Sequence, residues 1–417
     1  IGSDDIMETT TAFLIVLGIT LASVKLLDEY LSRKHIPMVL GELFLGVLLA
    51  AIFGVISEEL LEACGSEIYD VFSLLGIMFL MFISGLETDV GYLQRSLKYG
   101  LSVALLGSIV PFALVLGVFS VMGFDHDLAL IYATIAVATS VGLTVRVLTD
   151  LNVLREDYSV IIISAAVIDD IIGIVVLGIV LGSRNLYLLG VGIATFFVVV
   201  FAFYKWIIAP LSRSIEKHIQ AEYTYVSLAI VFVIVFSILA KSLGLAAITG
   251  AYFAGLILGR TKERQIILNA IKGIAYAMFI PLFFVGVGFE IILEIRTLGT
   301  YTSNAFSSIV FTWVPYVFVL LAIVGKVIGA FIGAKVLGQP IKSSMIVGIG
   351  MVPRMEVALV VASIAISSDI VAMVEGTVML YSTILLVIVS SILTPPILQS
   401  LIIGKIRKKR ARRAMIS

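Results

Sequence analysis

The sequence predicts an all-α polytopic membrane protein of thirteen transmembrane helices. Three observations carry that prediction. Hydrophobic residues fill 60% of the 417 positions and charged ones only 13%, whereas soluble domains average about 45–50% and about 25%. Apolar runs of roughly 20 residues, the length of a membrane crossing, recur along the whole chain, and mean hydropathy is +1.16. Basic residues gather in every second connection. Cys64 is the single cysteine, so an intrachain disulfide is excluded and a cysteine metal site is not expected. His35, His126 and His218 fall in connections, without metal-ligand spacing. The opening IGSDDI reads as a trimmed start, and no cleavable signal peptide is read.

Charged and Pro/Gly/Asn-rich breaks place the spans, in order, at residues 9–26, 37–56, 68–86, 99–122, 127–148, 158–182, 186–208, 222–240, 243–259, 267–289, 306–337, 341–366 and 375–402. One set of alternate connections carries Arg33 and Lys34, Arg95 and Lys98, Arg146 and Arg155, Lys205, Arg213 and Lys217, Arg260 through Lys272, and Lys335 and Lys342. The tail GKIRKKRARR joins that set. The opposite connections hold Arg184, Lys241 and Arg296, with acidic SEELLEACGSE (57–67). Positive residues stay inside, so the N-terminus is expected outside and the C-terminus in the cytoplasm, which requires an odd number of spans. The tail is expected to anchor the topology beside anionic membrane lipid. No nucleic-acid partner, cofactor or soluble regulatory domain is expected.

Internal similarity follows. The second span reads LGELFLGVLL (40–49) and the ninth TGAYFAGLIL (249–258); the third ends MFISGLE (81–87) and the tenth VGVGFE (285–290). Seven spans separate each pair, so the copies have opposite topology. That predicts an inverted repeat of spans 1–6 and 8–13 joined by span 7, a pattern found in secondary transporters. The same offset pairs the fifth span, with Thr134, Thr139, Ser140, Gly142 and Thr144, with the twelfth, with Gly348, Gly350 and Pro353. Gly and Pro weaken helices, and hydroxyls satisfy freed backbone groups in lipid. Thr139, Ser140, Gly350 and Pro353 are therefore expected to line a site at two interrupted helices.

The sixth span carries AAVIDDIIG (165–173). An Asp at bilayer depth costs about 2.5–3.5 kcal/mol on insertion scales, and Asp169 and Asp170 sit side by side. Neighbours on a helix differ by about 100° in direction, so one faces a water-filled cavity while the other needs a partner. Lys326, inside the eleventh span, is the ammonium at comparable depth. A salt bridge that only fixes geometry is an open alternative for that pair. Arg354 and Glu356 are expected to compensate the half-helix ends of the twelfth span. Glu42, Glu87, Glu222 and Glu290 read as solvated helix ends. An unpaired intramembrane carboxylate is a functional candidate. Burial favours its neutral form and a bound cation the charged form, so cation binding expels a proton. A hard oxygen site suits Na⁺ or Li⁺.

These residues resemble the monovalent cation:proton antiporters, in the branch holding the NapA-type sodium/proton antiporters and the Kef-type potassium systems. The resemblance runs through GELFLGVLL, MFISGLE, ATSVGLTVRVL, AAVIDDIIG, AAITGAYFAGLILG, PLFFVGVG, VGKVIGA and MVPRMEVAL. The Asp-Asp pair is similar to that of the electrogenic members, where Kef-type systems usually have Gln-Asp. The resemblance implies that Asp170 binds Na⁺ and the proton in turn, and that Asp169 pairs with Lys326. It further implies a homodimer in a prokaryotic plasma membrane. Dimerisation segments would be 1–90 and 221–295, core segments 91–185 and 296–417, and a linker 186–220, with crossing broken helices and an elevator motion in the core. A potassium/proton exchanger of the Kef-like branch is the alternative. A cation channel is disfavoured by the interrupted repeat. An intramembrane aspartyl protease needs two converging carboxylates, and adjacent aspartates diverge.

Overall fold

The computed structural model describes residues 3–34, 38–180, 186–203, 205, 222–301, 313–355, 358–359, 361–362, 365 and 373–414. The start of the eleventh span, much of the end of the twelfth, the loop residues Arg184, Arg213 and Lys217, and His35, His218 and Glu356 lie outside them. Among the described residues, every regular element is a helix. Its elements are α1 (Ser3–Lys34), α2 (Met38–Ile56), α3 (Glu58–Cys64), α4 (Glu67–Glu87), α5 (Val90–Val121), α6 (His126–Val137), α7 (Gly142–Asp150), α8 (Asp157–Val180), α9 (Leu186–Phe203), α10 (Glu222–Ser242), α11 (Ala247–Leu258), α12 (Arg264–Ile274), α13 (Ile280–Tyr301), α14 (Val314–Val336), α15 (Ile341–Gly350) and α16 (Met373–Ala414). Joined across their interruptions, they make the thirteen expected spans. Among the described residues, nine stretches are long and apolar enough to cross a membrane.

The contacts divide the chain into two compact units. One holds Ile1–Glu87 and Ala194–Ser303; the other holds Thr88–Ile193 and Asn304–Ser417.

In the first unit two helix crossings are built on glycine. Gly46 of α2 meets Gly288 of α13, and Gly85 of α4 meets Gly255 of α11. A methyl at Gly46 would collide with the Val285 carbonyl, and one at Gly255 with the Phe82 carbonyl. Backbones approach this closely only where side chains are absent. Two positively charged residues gather at the C-terminus of α4. Arg264 Nε donates to the Leu86 carbonyl at 2.6 Å, and Lys272 pairs with Glu87. Both suit the negative end of a helix. The core of this unit is aromatic: Tyr69 packs on Phe289 and Phe13, and its hydroxyl donates to the Leu282 carbonyl at 2.9 Å.

Several readings of the sequence need correction here. Glu42 is not a solvated helix end; it is fully buried, 0% exposed. It lies on the face that carries Val39, Gly46, Ala50 and Phe53, and that face packs inward. Glu87 is held by Lys272 rather than solvated alone. The acidic segment after α2 is not only a connection: it forms α3, with Ser57 as the N-cap accepting from Leu60 N and Glu58 and Glu59 in the first turn. Both features favour a helix start. The tenth span is not one α-helix, because a π turn at Ala275–Phe279 separates α12 from α13. Such a turn re-registers backbone hydrogen bonds, and Lys25 Nζ donates to the Tyr276 carbonyl there at 2.7 Å. Arg146 is not in a loop. It is buried in α7 and pairs with Asp150 one turn on, Nε to Oδ2 3.1 Å.

The second unit is organised by α5 and α14. Gly325, Gly329 and Gly333 of α14 recur every four residues and lie on Pro111, on Leu106 and Gly107, and on Ser102 and Val103 of α5. Ser102 Oγ donates to the Gly333 carbonyl at 2.9 Å. Helix α8 packs on the same long helix, with Gly100 against Ser164. This stacking brings the middles of α5, α8 and α14 together.

Candidate functional site

The fifth span breaks between α6 and α7. Ala138 turns extended, at φ −50° and ψ 133°, and the helix resumes at Gly142. The twelfth span breaks after α15, and residues 352–355 are non-helical. The two breaks face each other. Ser140 N donates to the Pro353 carbonyl at 3.0 Å, and Thr144 Oγ1 donates to the Gly350 carbonyl at 2.7 Å. Thr139, Ser140, Gly350 and Pro353 thus come together at one crossing.

Breaking a helix orphans the last carbonyls of its first half. Arg354 supplies donors to the ends of the first halves of both broken spans at once. Its Nη1 donates to the carbonyls of Val352 at 2.7 Å and Met351 at 3.2 Å, and its Nη2 to Ala136 at 2.8 Å. Its backbone N donates to Ser390 Oγ at 3.1 Å, which fixes the break against α16. The guanidinium is 1% exposed. A planar fork of five donors spans two helix ends where an ammonium would reach one. Each buried carbonyl stripped of its donor costs about 1–3 kcal/mol. Arg354→Met is therefore expected to lower stability by roughly 3 kcal/mol or more, seen as earlier unfolding in a thermal scan of the detergent-purified protein. Arg354→Lys should recover only part of the loss.

The charged pair sits beside the first break. Asp169 of α8 is buried, and its Oδ2 accepts from Lys326 Nζ at 2.7 Å. Lys326 is 0% exposed, and its stem passes Gly107 of α5, where an added methyl would lie 3.6 Å from Cε. The same ammonium donates to Thr139 Oγ1 at 3.2 Å and to the Val137 carbonyl at 3.4 Å. It therefore joins the carboxylate to the C-terminal end of half-helix α6, where a cation is favourable. The other carboxylate oxygen, Oδ1, accepts from Ser108 Oγ of α5 at 2.6 Å. Asp170 points elsewhere from the next position of α8 and is half-buried.

Asp169, Lys326 and Thr139 are in direct contact, and Arg354 bridges the two breaks. Glu356 lies outside the described residues. Sequence reasoning missed Ser108 and Ser390. Each is a hydroxyl deep in an apolar helix, where it needs a partner, but neither residue stands in a motif that names that partner.

Residues 14–401 match the family described as sodium/hydrogen exchanger, transmembrane. A probable Na⁺/H⁺ antiporter of Bacillus cereus, GerT, is 33% identical over 86% of this chain and 92% of its own length. A Na⁺/H⁺ antiporter of Enterococcus hirae is 32% identical over 89% of this chain and 93% of its own. The sodium proton antiporter MjNhaP1 of Methanocaldococcus jannaschii has a solved structure similar to this one. The TM-score is 0.62 at 17% identity, over 94% of this chain and 98% of that one, a likeness of fold. The match along nearly the whole chain, with relatives above 30% identity across most of their length, places this multi-pass membrane protein in the sodium/hydrogen exchanger family.

Proposed function

We propose that the protein is an electrogenic antiporter that moves cytoplasmic Na⁺ or Li⁺ out in exchange for more than one external H⁺. The observation that carries this reading is the buried Asp169–Lys326 pair, held against a broken helix, with Asp170 at the next position of α8. Asp170 is the shared site: it holds either the cation or a proton. The Asp169–Lys326 pair is the coupled site. With the pair intact and Na⁺ on Asp170, the loaded site is neutral. With protons on Asp170 and Asp169, Lys326 leaves it one unit positive. A cycle that carries Na⁺ outward in the neutral form and protons inward in the positive form moves net charge and draws on the membrane potential.

The core segments 91–185 and 296–417 would carry this site through alternating access in an elevator motion. Segments 1–90 and 221–295 would form the dimerisation domain of a homodimer in a prokaryotic plasma membrane, with 186–220 as linker, the N-terminus outside and the basic C-terminus in the cytoplasm. The inverted repeat is supported by the two glycine crossings. Gly46 and Gly255 are equivalent in the repeated motifs, as are Gly85 and Gly288, and each crossing joins one member from each half.

Potassium is the second reading. A Na⁺/H⁺-K⁺ antiporter of Bacillus cereus, GerN, is 31% identical over 93% of this chain. Purified protein in liposomes with an internal pH dye, offered Na⁺, Li⁺ and K⁺ in turn at a clamped potential, decides between them. Na⁺ and Li⁺ are expected to drive proton movement whose rate rises when the potential favours inward positive charge. Proton movement with K⁺ alone would move the protein to the potassium branch. A rate independent of voltage would remove the electrogenic cycle.

A further inference from the structure

The ammonium of Lys405, on α16, rests on two other helices. Its Nζ donates to Ser343 Oγ of α15 at 2.8 Å and lies 4.2 Å from the centre of the Tyr158 ring of α8. Both seats are buried, Tyr158 at 1% exposure and Ser343 at 4%. Each stands in the first turn of its helix. From there α8 runs on to Asp169 and Asp170, and α15 runs on to the break after Gly350. One side chain thus ties together the starts of the two helices that lead to the charged pair and to the second break.

Lys405 also ends the apolar stretch Glu375–Lys405, which is long enough to cross a membrane. The helix continues to Ala414, and seven of the nine residues 405–413 are Lys or Arg. Lys405, Lys408, Lys409, Arg412 and Arg413 recur three and four apart, the spacing of one helix face. Like charges at that spacing destabilise a helix. The negative end of the helix dipole compensates only the last turn, and α16 carries no acid after Glu375. Next to the two seats in the chain, Glu156 and Asp157 are matched by Arg155 and Lys342. The excess positive charge therefore begins where the apolar run stops, at the level of lipid headgroups.

We propose that the end of α16, from Lys405 onward, is a docking site for anionic phospholipid headgroups, and that docking holds Lys405 on Tyr158 and Ser343. Headgroup phosphates relieve the repulsion along the basic face, so the helix stays wound through Lys405 and the starts of α8 and α15 stay joined. Without them the end of α16 frays and the tie is released. The docking stands apart from the antiport reading; its effect on exchange rests on that reading.

Phosphatidylglycerol added to the detergent-purified protein is expected to raise the thermal midpoint, where phosphatidylcholine and free glycerol phosphate do not. The shift should shrink in salt, because this attraction falls off within a Debye length. Each basic residue near a headgroup surface is worth roughly a factor of five in affinity. Replacing Lys408, Lys409, Arg412 and Arg413 together by Gln should therefore raise the phosphatidylglycerol concentration required by about a hundredfold or more. Lys405→Met should still retain the lipid, counted by native mass spectrometry, but lose most of the thermal shift. Ser343→Ala removes only the acceptor and serves if the methionine variant does not fold. In liposomes, phosphatidylglycerol should speed Na⁺-driven exchange more in the wild type than in Lys405→Met, where surface charge acts on Na⁺ alone. Equal shifts with the two lipids, a full shift with glycerol phosphate, or an unchanged response in the four-glutamine variant overturns the docking. A wild-type shift in both Lys405→Met and Ser343→Ala overturns its link to the core. Absence of Na⁺-driven exchange in the wild type refutes antiport instead, and the thermal result still decides the docking.

Discussion

Asp170→Asn is expected to reduce sodium-driven proton movement in proteoliposomes to the level of empty vesicles. Asparagine keeps the size and much of the hydrogen bonding of aspartate. It has no charge to neutralise a cation and no proton to release. A contact to an ionised group is worth about 1.5–3 kcal/mol, and 1.4 kcal/mol is tenfold. Loss of the carboxylate should therefore cost roughly a hundredfold in exchange or more. Folding should survive, because Asp170 is half-buried on α8 while the buried ion pair uses its neighbour. A thermal scan matching or exceeding that of the wild type, together with lost exchange, is the expected combination. Exchange at the wild-type rate would move the carrier to another residue. Lost exchange in an unfolded variant would be answered by Asp170→Glu, which keeps the charge and should retain part of the exchange.

The outline of this site was legible because lipid makes polar groups expensive. Asp169, Asp170, Lys326 and Arg354 stand out against apolar neighbours, and each had to be accounted for. The two breaks were legible from Thr139 and Ser140 in one span and Gly350 and Pro353 in the other, since these types weaken a helix or repair its backbone. What the sequence hid was direction. Arg354 could be assigned to the broken region, but the carbonyls it reaches include Ala136, more than two hundred positions away, and no local spacing encodes that reach. Ser108 was hidden for the same reason: hydroxyls are common in membrane helices, and the partner lies 61 residues on. Glu42 was misread although its periodicity was available. It stands four residues before Gly46 and so shares the face that packs on α13. Its place near the start of the span outweighed the face it occupies. The short α3 was misread because its charge suggested a loop, yet the same acids at Glu58 and Glu59, behind Ser57, favour a helix start.

Lys326→Met is expected to destabilise the protein by about 3–5 kcal/mol, because it leaves a buried carboxylate without its counter-ion. Thr139 Oγ1 and the Val137 carbonyl lose a donor in the same change. Thermal unfolding in detergent should fall well below that of the wild type. Adding Asp169→Asn removes the orphaned charge. Replacing both members of a buried pair is often neutral or stabilising, so the double variant should regain most of the lost stability. The two sites are in contact, so their effects should not add, and the deficit from additivity measures the pair. Exchange then separates a strut from a carrier. A strut that only fixes geometry would return stability and leave the stoichiometry and voltage response of the double variant equal to those of the wild type, since Asp170 is intact. A pair that carries the second proton would return stability but not the voltage response. The double variant would then exchange one cation for one proton at Asp170, and its rate would no longer respond to the potential. The second outcome is the expected one, because the ammonium already has acceptors at the half-helix end. Lys326 is not immobilised by Asp169 alone, and a pair whose basic member has a second place to rest can open and close.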